Sequence, residues 1–500
     1  MDLVEYGYRR TAVVAGVMLA TVLQVLDATI VNVALPTIQG NLGASRDEGT
    51  WIVTGYIIAA VVVIPLTPWL QARFGRKQYY GTAILGFTVM SVACGAATTF
   101  EAEVAFRIVQ GAFGGGLIAT GQAVLRDTFP PKDIGKSQVL VALGAIVGPS
   151  IGPTLGGILT DRYSWNWVFY VNVLPGLISF ALIALFLRNP GPPRRAPLDV
   201  PGIALLALGL GSLQYVLTEG ERNDWFSSAT IVGFALASVA GLIAFVVWEL
   251  RGTRRPVVDL RILRNRTVAS GCALALALGF SLFGSIVITP QFNQGILGFT
   301  PTLSGESILL RALAIFACTP LVLVFLNRFK LDPRVLLFAG FSIVAVANVM
   351  QAFVTTSTAD FWTFAFPLIL GGVGFSQLLA PLSVAVLGSV QGSDTPKASS
   401  LLSLCQQLGG SLSTAFLVTL LDRRAAFHQS ALAGHATLAL LPTIPRGGSL
   451  AALYATIVRE ASVLAFADAF LALALVAALV TPLVLTLRSR GSAATAIAME

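Results

Sequence analysis

An all-α membrane protein, a bundle of about fourteen transmembrane helices, is the fold class this sequence predicts, and three observations carry that prediction. Of the 500 residues, 55% are hydrophobic and only 11% charged, against roughly a quarter charged in a soluble domain. The apolar runs are about 20 residues long, the length a helix needs to cross a hydrocarbon core, where barrel strands would show about 10 residues of strict alternation. Lys and Arg fall in short clusters between those runs, so the formal net charge of +8 reads as membrane topology and excludes an extended nucleic-acid-binding face.

Taken in order, apolar runs bounded by Gly, Pro and charge place spans at roughly 12–36, 49–71, 79–99, 103–125, 137–160, 166–188, 200–219, 227–250, 268–290, 304–326, 335–355, 361–391, 396–421 and 462–487. The first run is long, contains Asp27 and is followed by no A-x-A site, so it is expected to stay as the first span. With both termini placed in the cytoplasm, 23 of the 32 Lys and Arg lie on the cytoplasmic side and seven on the other, with Arg107 and Arg311 inside spans. An even number of spans keeps that bias along the whole chain. The Pro- and Arg-rich segment 189–201 and the basic segment 251–266 divide the spans six, two, six. The expected organisation is an N-terminal six-helix bundle over 1–188, a linker with two inserted helices over 189–266, and a C-terminal six-helix bundle over 267–500. Its one long external connection, about 422–461, is expected to form a partly ordered cap. Cys94, Cys272, Cys318 and Cys405 fall inside spans without CxxC spacing, which supports neither a disulfide framework nor a metal site.

Four patterns carry the chemistry. Leu26-Asp27-Ala28-Thr29-Ile30-Val31-Asn32-Val33-Ala34-Leu35-Pro36 puts a carboxylate halfway down the first span. An ionised carboxylate in low dielectric is costly, so Asp27 should be able to take up and release a proton during a cycle; a structural Asp bonded to nearby Thr or Asn side chains is the competing reading. Phe106-Arg107-Ile108-Val109-Gln110-Gly111 buries a permanent cation in the fourth span, and Asp27 is its obvious partner. If they pair only while the carboxylate is ionised, protonation would bias the bundle between two shapes; a permanent structural pair is the alternative. Gly148-Pro149-Ser150-Ile151-Gly152-Pro153-Thr154-Leu155-Gly156-Gly157 spaces glycines and prolines four apart, so one helix face offers a smooth, kinked groove on which another helix can pack and rock, or simply a close interface. Pro68-Trp69-Leu70-Gln71-Ala72-Arg73-Phe74-Gly75-Arg76-Lys77 makes a tight basic turn between spans two and three.

Two further acids, Glu306 and Asp468, lie near the external ends of spans ten and fourteen, as proton-transfer groups or as headgroup-level structure. Glu306 and Arg311 are about 140° apart around a helix and should not pair. A cavity for amphipathic molecules should combine aromatic surface with a few amides. The candidate contacts are Gln24, Asn32, Tyr56, Gln110, Phe113, Gln122, Phe280, Gln291, Phe375, Gln377 and Gln406.

An enzyme would need a reactive constellation, and the chain has no HExxH, GxSxG or paired Cys/His cluster and implies no cofactor. Ile134-Gly135-Lys136-Ser137 imitates the end of a phosphate loop, but Pro130 occupies the required first glycine, which argues against ATP-driven work.

In combination and in this order, the four patterns resemble the major facilitator superfamily, and specifically the fourteen-span drug:proton antiporters of the EmrB/QacA type. Gly211-Ser212-Leu213-Gln214, Asp224-Trp225-Phe226-Ser227-Ser228 and Val247-Trp248-Glu249-Leu250 look closest to the EmrB branch. The resemblance implies the major facilitator fold, two six-helix bundles around a central cavity with spans seven and eight as an insertion. It assigns Asp27 and Arg107 to proton coupling and marks the glycine–proline pattern as that of antiporters. It also implies export of amphipathic drugs from an inner membrane, with a periplasmic membrane-fusion adaptor and an outer-membrane channel as partners. The basic turn departs from the family, with Pro68 for its usual first Gly and Ala72 for its usual Asp, and Gln406 stands where relatives often carry Arg. The changes in the turn weaken the charge-relay latch that the resemblance implies for that loop, and both departures leave the export reading in place. The competing functions are a proton-coupled carrier for one metabolite or siderophore, and a non-transporting scaffold, against which the buried charges argue.

Overall fold

The computed structural model describes residues 4–44, 46–130, 140, 144, 148, 151–152, 155–189, 191, 199–252, 256, 258–390, 394–435 and 450–487. Every regular element among them is helical. The long helices are α1 (Gly7–Leu42), α2 (Trp51–Phe74), α3 (Arg76–Gly95), α4 (Phe100–Thr128), α5 (Trp167–Phe186), α6 (Val200–Glu219), α7 (Ala229–Gly252), α8 (Arg266–Gly295), α9 (Pro301–Asn327), α10 (Pro333–Val354), α11 (Phe361–Leu387), α12 (Asp394–His435) and α13 (Leu450–Thr486). Twelve helices among the described residues have the length and apolarity to cross a membrane. The remaining one, α3, is more polar, but its 20 residues at about 1.5 Å each match a hydrocarbon core of about 30 Å. The expected span at 137–160 falls largely outside the described residues.

One expectation changes. Helix α12 does not stop near Leu421 but runs unbroken for 42 residues to His435, and α13 starts at Leu450 rather than near Ser462. Most of the expected cap is therefore two helical extensions that outrun the bilayer. The reason is local: between Leu421 and Leu432 the chain has neither Gly nor Pro and is rich in Ala, Leu and Arg, all strong helix formers. Residues 436–449 lie outside the described set.

Helix starts follow capping chemistry. The side chains of Thr99, Asp199, Asn265, Thr300, Asp332 and Asp360 each accept a bond from a backbone N–H in the first turn of the helix that follows. In lipid no hydrophobic force pulls helices together, so close packing must do it, and small residues sit where helices cross. On α8 and α12, Gly279 and Gly409 lie directly against the backbone carbonyls of Gln406 and Leu276. On α4, Gly111 and Gly115 lie against the carbonyls of Tyr56 and Ala60 in α2. A Cβ at any of the four would collide with main chain.

Helices α1 to α5 share two apolar clusters, one around Val17, Tyr80, Phe87 and Ile183 and one around Ile30, Ile52, Val168 and Phe169. Helices α8 to α13 share a larger one around Leu278, Phe341, Phe375 and Leu402, which extends to Val61 and Ile64 of α2 and to Leu206 and Leu210 of α6. Phe292, Phe364, Phe466 and Phe470 form a separate aromatic group, with Phe292 stacked on Phe364 at 5.0 Å. Helix α4 lies between α2 and α3 and beside α1, an arrangement that brings the first and fourth spans' charges together.

Candidate functional site

Asp27 is 0% exposed and Arg107 1% exposed, and the guanidinium Nη1 donates to Asp27 Oδ2 at 2.6 Å. Removing each ion from water costs several kcal/mol, so the pair persists only because its remaining hydrogen-bonding capacity is met. Arg107 Nη1 also donates to Gln110 Oε1 at 2.6 Å and Nε to the Ile52 carbonyl at 3.2 Å. The other carboxylate oxygen, Asp27 Oδ1, accepts from Gln110 Nε2 at 3.2 Å and Asn172 Nδ2 at 2.9 Å. Asn172 in turn donates to Ser91 Oγ at 3.0 Å, and Ser91 donates to the Phe169 carbonyl at 2.9 Å. The Tyr56 ring lies 4.2 Å from the Arg107 guanidinium carbon, a cation–π contact worth about 0.5–2 kcal/mol.

Four of the residues singled out in the sequence, Asp27, Tyr56, Arg107 and Gln110, thus meet at one point. Arg107 and Gln110 share a helix face because they are three apart. Sequence reading missed Ser91, Asn172 and Glu103. Asn172 was findable as a lone amide in the apolar run that follows Trp165-Asn166-Trp167. Glu103, 0% exposed, looked like an ordinary acid in the first turn of a helix.

The glycine stripe packs on the helix that carries Asp27. A Cβ at Gly144 would come within 3.2 Å of Thr21, one at Gly148 within 2.6 Å of the Leu26 nitrogen, one at Gly152 would strike Thr29 Oγ1, and one at Gly156 would come within 2.9 Å of the Ile30 carbonyl. The four-residue spacing therefore runs along α1 from Thr21 to Ile30, as the shared helix face requires. Gly157 points elsewhere and has nothing within 4 Å of its Cβ position. Pro149 and Pro153 lie outside the described residues.

The basic turn is built as expected at Gly75, whose φ of +87° suits a residue without Cβ. Arg73 is exposed, Arg76 is buried, and the Lys77 amide donates to Asn189 Oδ1 at 2.8 Å. The acid missing at Ala72 is supplied from elsewhere, since Arg76 pairs with Asp127 at 2.8 Å. Beside it, Arg126 Nη2 donates to the Val390 carbonyl at 2.7 Å and Nη1 to Thr395 Oγ1 at 2.8 Å. Ser399 of α12 donates to the Ala119 carbonyl at 2.8 Å and to Gln122 Oε1 at 3.0 Å. These bonds fasten the end of α4 to the start of α12.

The cavity set does not assemble as one lining. Phe375 is buried inside the largest cluster, and Phe113 packs beneath Gly86 against the α1–α5 core. Tyr56 is buried as the platform under Arg107. These three pack within or against the core because an aromatic ring fills inter-helical space as well as it lines a cavity. Gln24 accepts from the Ile118 amide at 3.2 Å, Gln377 returns its amide to the Val373 carbonyl of its own helix, and Phe280 packs with Phe416. Gln406 is half-buried at the α8–α12 crossing, and Asn32 and Gln291 are exposed. Glu306 is exposed and forms no bond among the described residues, whereas Arg311 is buried and donates to Ser285 Oγ at 2.5 Å, so the two are apart as their spacing requires. Asp468 is held by Arg424 Nε at 2.5 Å and by His428 Nε2 at 2.7 Å, two α12 residues one turn apart.

Residues 17–414 match the family model described as Major Facilitator Superfamily. The chain belongs to the major facilitator superfamily. The Multidrug export protein EmrB of Escherichia coli (strain K12) is 35% identical over 431 residues, covering 85% of this chain and 83% of that protein. The Fatty acid resistance protein FarB of Neisseria gonorrhoeae is 34% identical over 421 residues, covering 84% and 82%. Among solved structures, the proton:xylose symporter XylE bound to 6-bromo-6-deoxy-D-glucose superposes with a TM-score of 0.58 at 12% identity, covering 93% of this chain and 94% of that one. That likeness carries the major facilitator fold alone. Within the superfamily frame, the ion pair of α1 and α4, the glycine stripe and the basic turn all fall inside the matched residues.

Proposed function

We propose that this chain exports amphipathic or hydrophobic small molecules, multiple drugs among them, across an inner membrane in exchange for protons. The observation that carries the reading is the Asp27–Arg107 pair, closed off from solvent, on a helix whose other side packs along a glycine stripe. Protonating Asp27 removes the counter-ion of Arg107 and loosens α1 from α4. The glycines leave α1 a smooth surface to move against. The bonds from Arg126 and Ser399 to α12 hold one end of the bundle shut, and by the distribution of Lys and Arg that end is cytoplasmic, as are both termini. The halves that rock are 1–188 and 267–500, with α6 and α7 inserted between them.

The drug-export part of the reading is supported by the names of the curated relatives, EmrB above all. An adaptor in the periplasm and a channel in the outer membrane complete the proposed route, and the helical extensions to His435 and from Leu450 are the surface on the adaptor's side. Exposed Asn32 and Gln291 are the amides best placed to meet substrate.

The test is purified protein in liposomes under an imposed proton gradient with a fluorescent lipophilic cation. Wild type should move the dye against its gradient, and Asp27→Asn should abolish coupling while the protein stays folded. Undiminished gradient-driven export by Asp27→Asn removes Asp27 from the mechanism. Dye movement in the opposite sense makes the chain an importer.

A further inference from the structure

Glu103 lies one turn before Arg107 on α4, on the same face. It is 0% exposed, and both carboxyl oxygens lack a hydrogen-bond partner among the described residues. Helix capping does not explain it. Thr99 already caps α4 by accepting from the Ala102 amide, and Glu103 sits one position beyond the one from which an acid can close a capping box. The dipole at the start of α4 favours a negative charge there only weakly compared with the cost of stripping a carboxylate of water. Around it lie Asp27 from α1, Cys94 from α3 and Arg107 from its own helix, with Tyr56 of α2 stacked over Arg107. Glu101 of the same helix is exposed. The guanidinium is the sole cation of this group, and it is engaged by Asp27.

The charge count of the buried group then decides the chemistry. Ionised Asp27, Arg107 and a protonated Glu103 sum to zero. Adding a proton to Asp27 alone would leave an unpaired cation away from water, the costliest state the group can adopt. We propose that Glu103 is a second proton-binding carboxyl of this site, protonated in the observed arrangement, and that it takes over the Arg107 guanidinium when Asp27 becomes protonated. In the exchange, the O–H bond of Glu103 breaks, an O–H bond forms at Asp27, and Arg107 changes carboxylate partners, with total charge held at zero. This rests on the proton-coupled reading above and gives its loosened guanidinium somewhere to go.

Infrared difference spectra of the full chain in lipid nanodiscs near neutral pH, without substrate, test this. Wild type minus Glu103→Gln should show the C=O band of one protonated carboxyl. In Asp27→Asn the band should be about tenfold weaker although Glu103 is intact, because the freed guanidinium then draws out the ionised form. Asp27→Asn combined with Glu103→Gln should lower Tm by more than the two single changes together, since no carboxylate is left for Arg107. A wild type without the band, a band that survives in Asp27→Asn, or additive Tm losses would each overturn the proposal. None of these readouts involves transport, so the proposal and the export reading can fail separately.

Discussion

Replacing Gly148 by Ala should damage this protein, although Ala is the better helix former. The new Cβ would lie 2.6 Å from the Leu26 nitrogen and 2.8 Å from Val25. An ordinary carbon contact is about 3.5–4.0 Å, so α1 and the glycine-bearing segment must separate by roughly 1 Å. Because the obstacle is main chain, no rotamer change relieves it. Overpacking of this kind costs about 1–3 kcal/mol, partly offset by about 1 kcal/mol of helix propensity gained on replacing Gly. The displaced residues immediately precede Asp27, whose bonds to Arg107, Gln110 and Asn172 span only 2.6–3.2 Å, and a shift of that size breaks some of them. Proton-driven dye export in liposomes should fall about tenfold, following the rule of about 1.4 kcal/mol per decade, with a lowered Tm. Gly157→Ala is the internal control. Its Cβ meets nothing within 4 Å, so Tm should hold or rise and export should be unchanged. Equal behaviour of the two variants would refute the claim that the stripe positions α1.

Two other outcomes are expected. Arg126→Ala removes the bonds to the Val390 carbonyl and Thr395, each worth about 1 kcal/mol at a partly exposed site; a cysteine introduced as Ser399→Cys should then react with a membrane-impermeant maleimide from the cytoplasmic side about tenfold faster than in the Arg126 background. Asp468→Asn should leave gradient-driven export within about twofold of wild type, because a carboxylate already paired with Arg424 and bonded to His428, with its side chain 26% exposed, contributes no more than about 1 kcal/mol. Loss of coupling in that variant would move a proton site to α13.

Charge in the middle of an apolar run is legible, because the bilayer penalises it so heavily that a reason must exist. Asp27 and Arg107 stood out on that ground, and the acid of the first span was the obvious partner for the cation of the fourth. The glycine spacing announced a smooth face, since residues four apart share a side of any helix. Sequence did not say that α1 fills the groove from Thr21 to Ile30. Asn172 and Ser91 escaped notice because single small polar residues are common in spans. The cavity residues failed for a general reason: a helix that is apolar all round carries no periodic signal separating its lipid side from its buried side. Phe375, deep in the core, and Phe113, half-buried at its edge, look alike in one dimension.

Composition and spacing thus sufficed for the helical membrane class, the succession of apolar spans, the clustering of positive charge between them, and the presence of an acid in the first span and a cation in the fourth. These depend on composition and spacing along one helix at a time. Packing between helices settled which groups complete the ion pair, that Asp127 replaces the acid missing at Ala72, that Asp468 pairs with Arg424 of the neighbouring helix, and that Glu103 is enclosed beside Cys94 with neither carboxyl oxygen hydrogen-bonded among the described residues. Each of these depends on which faces of different helices meet, and in lipid that choice is made by close packing of small residues, whose partner no single helix encodes.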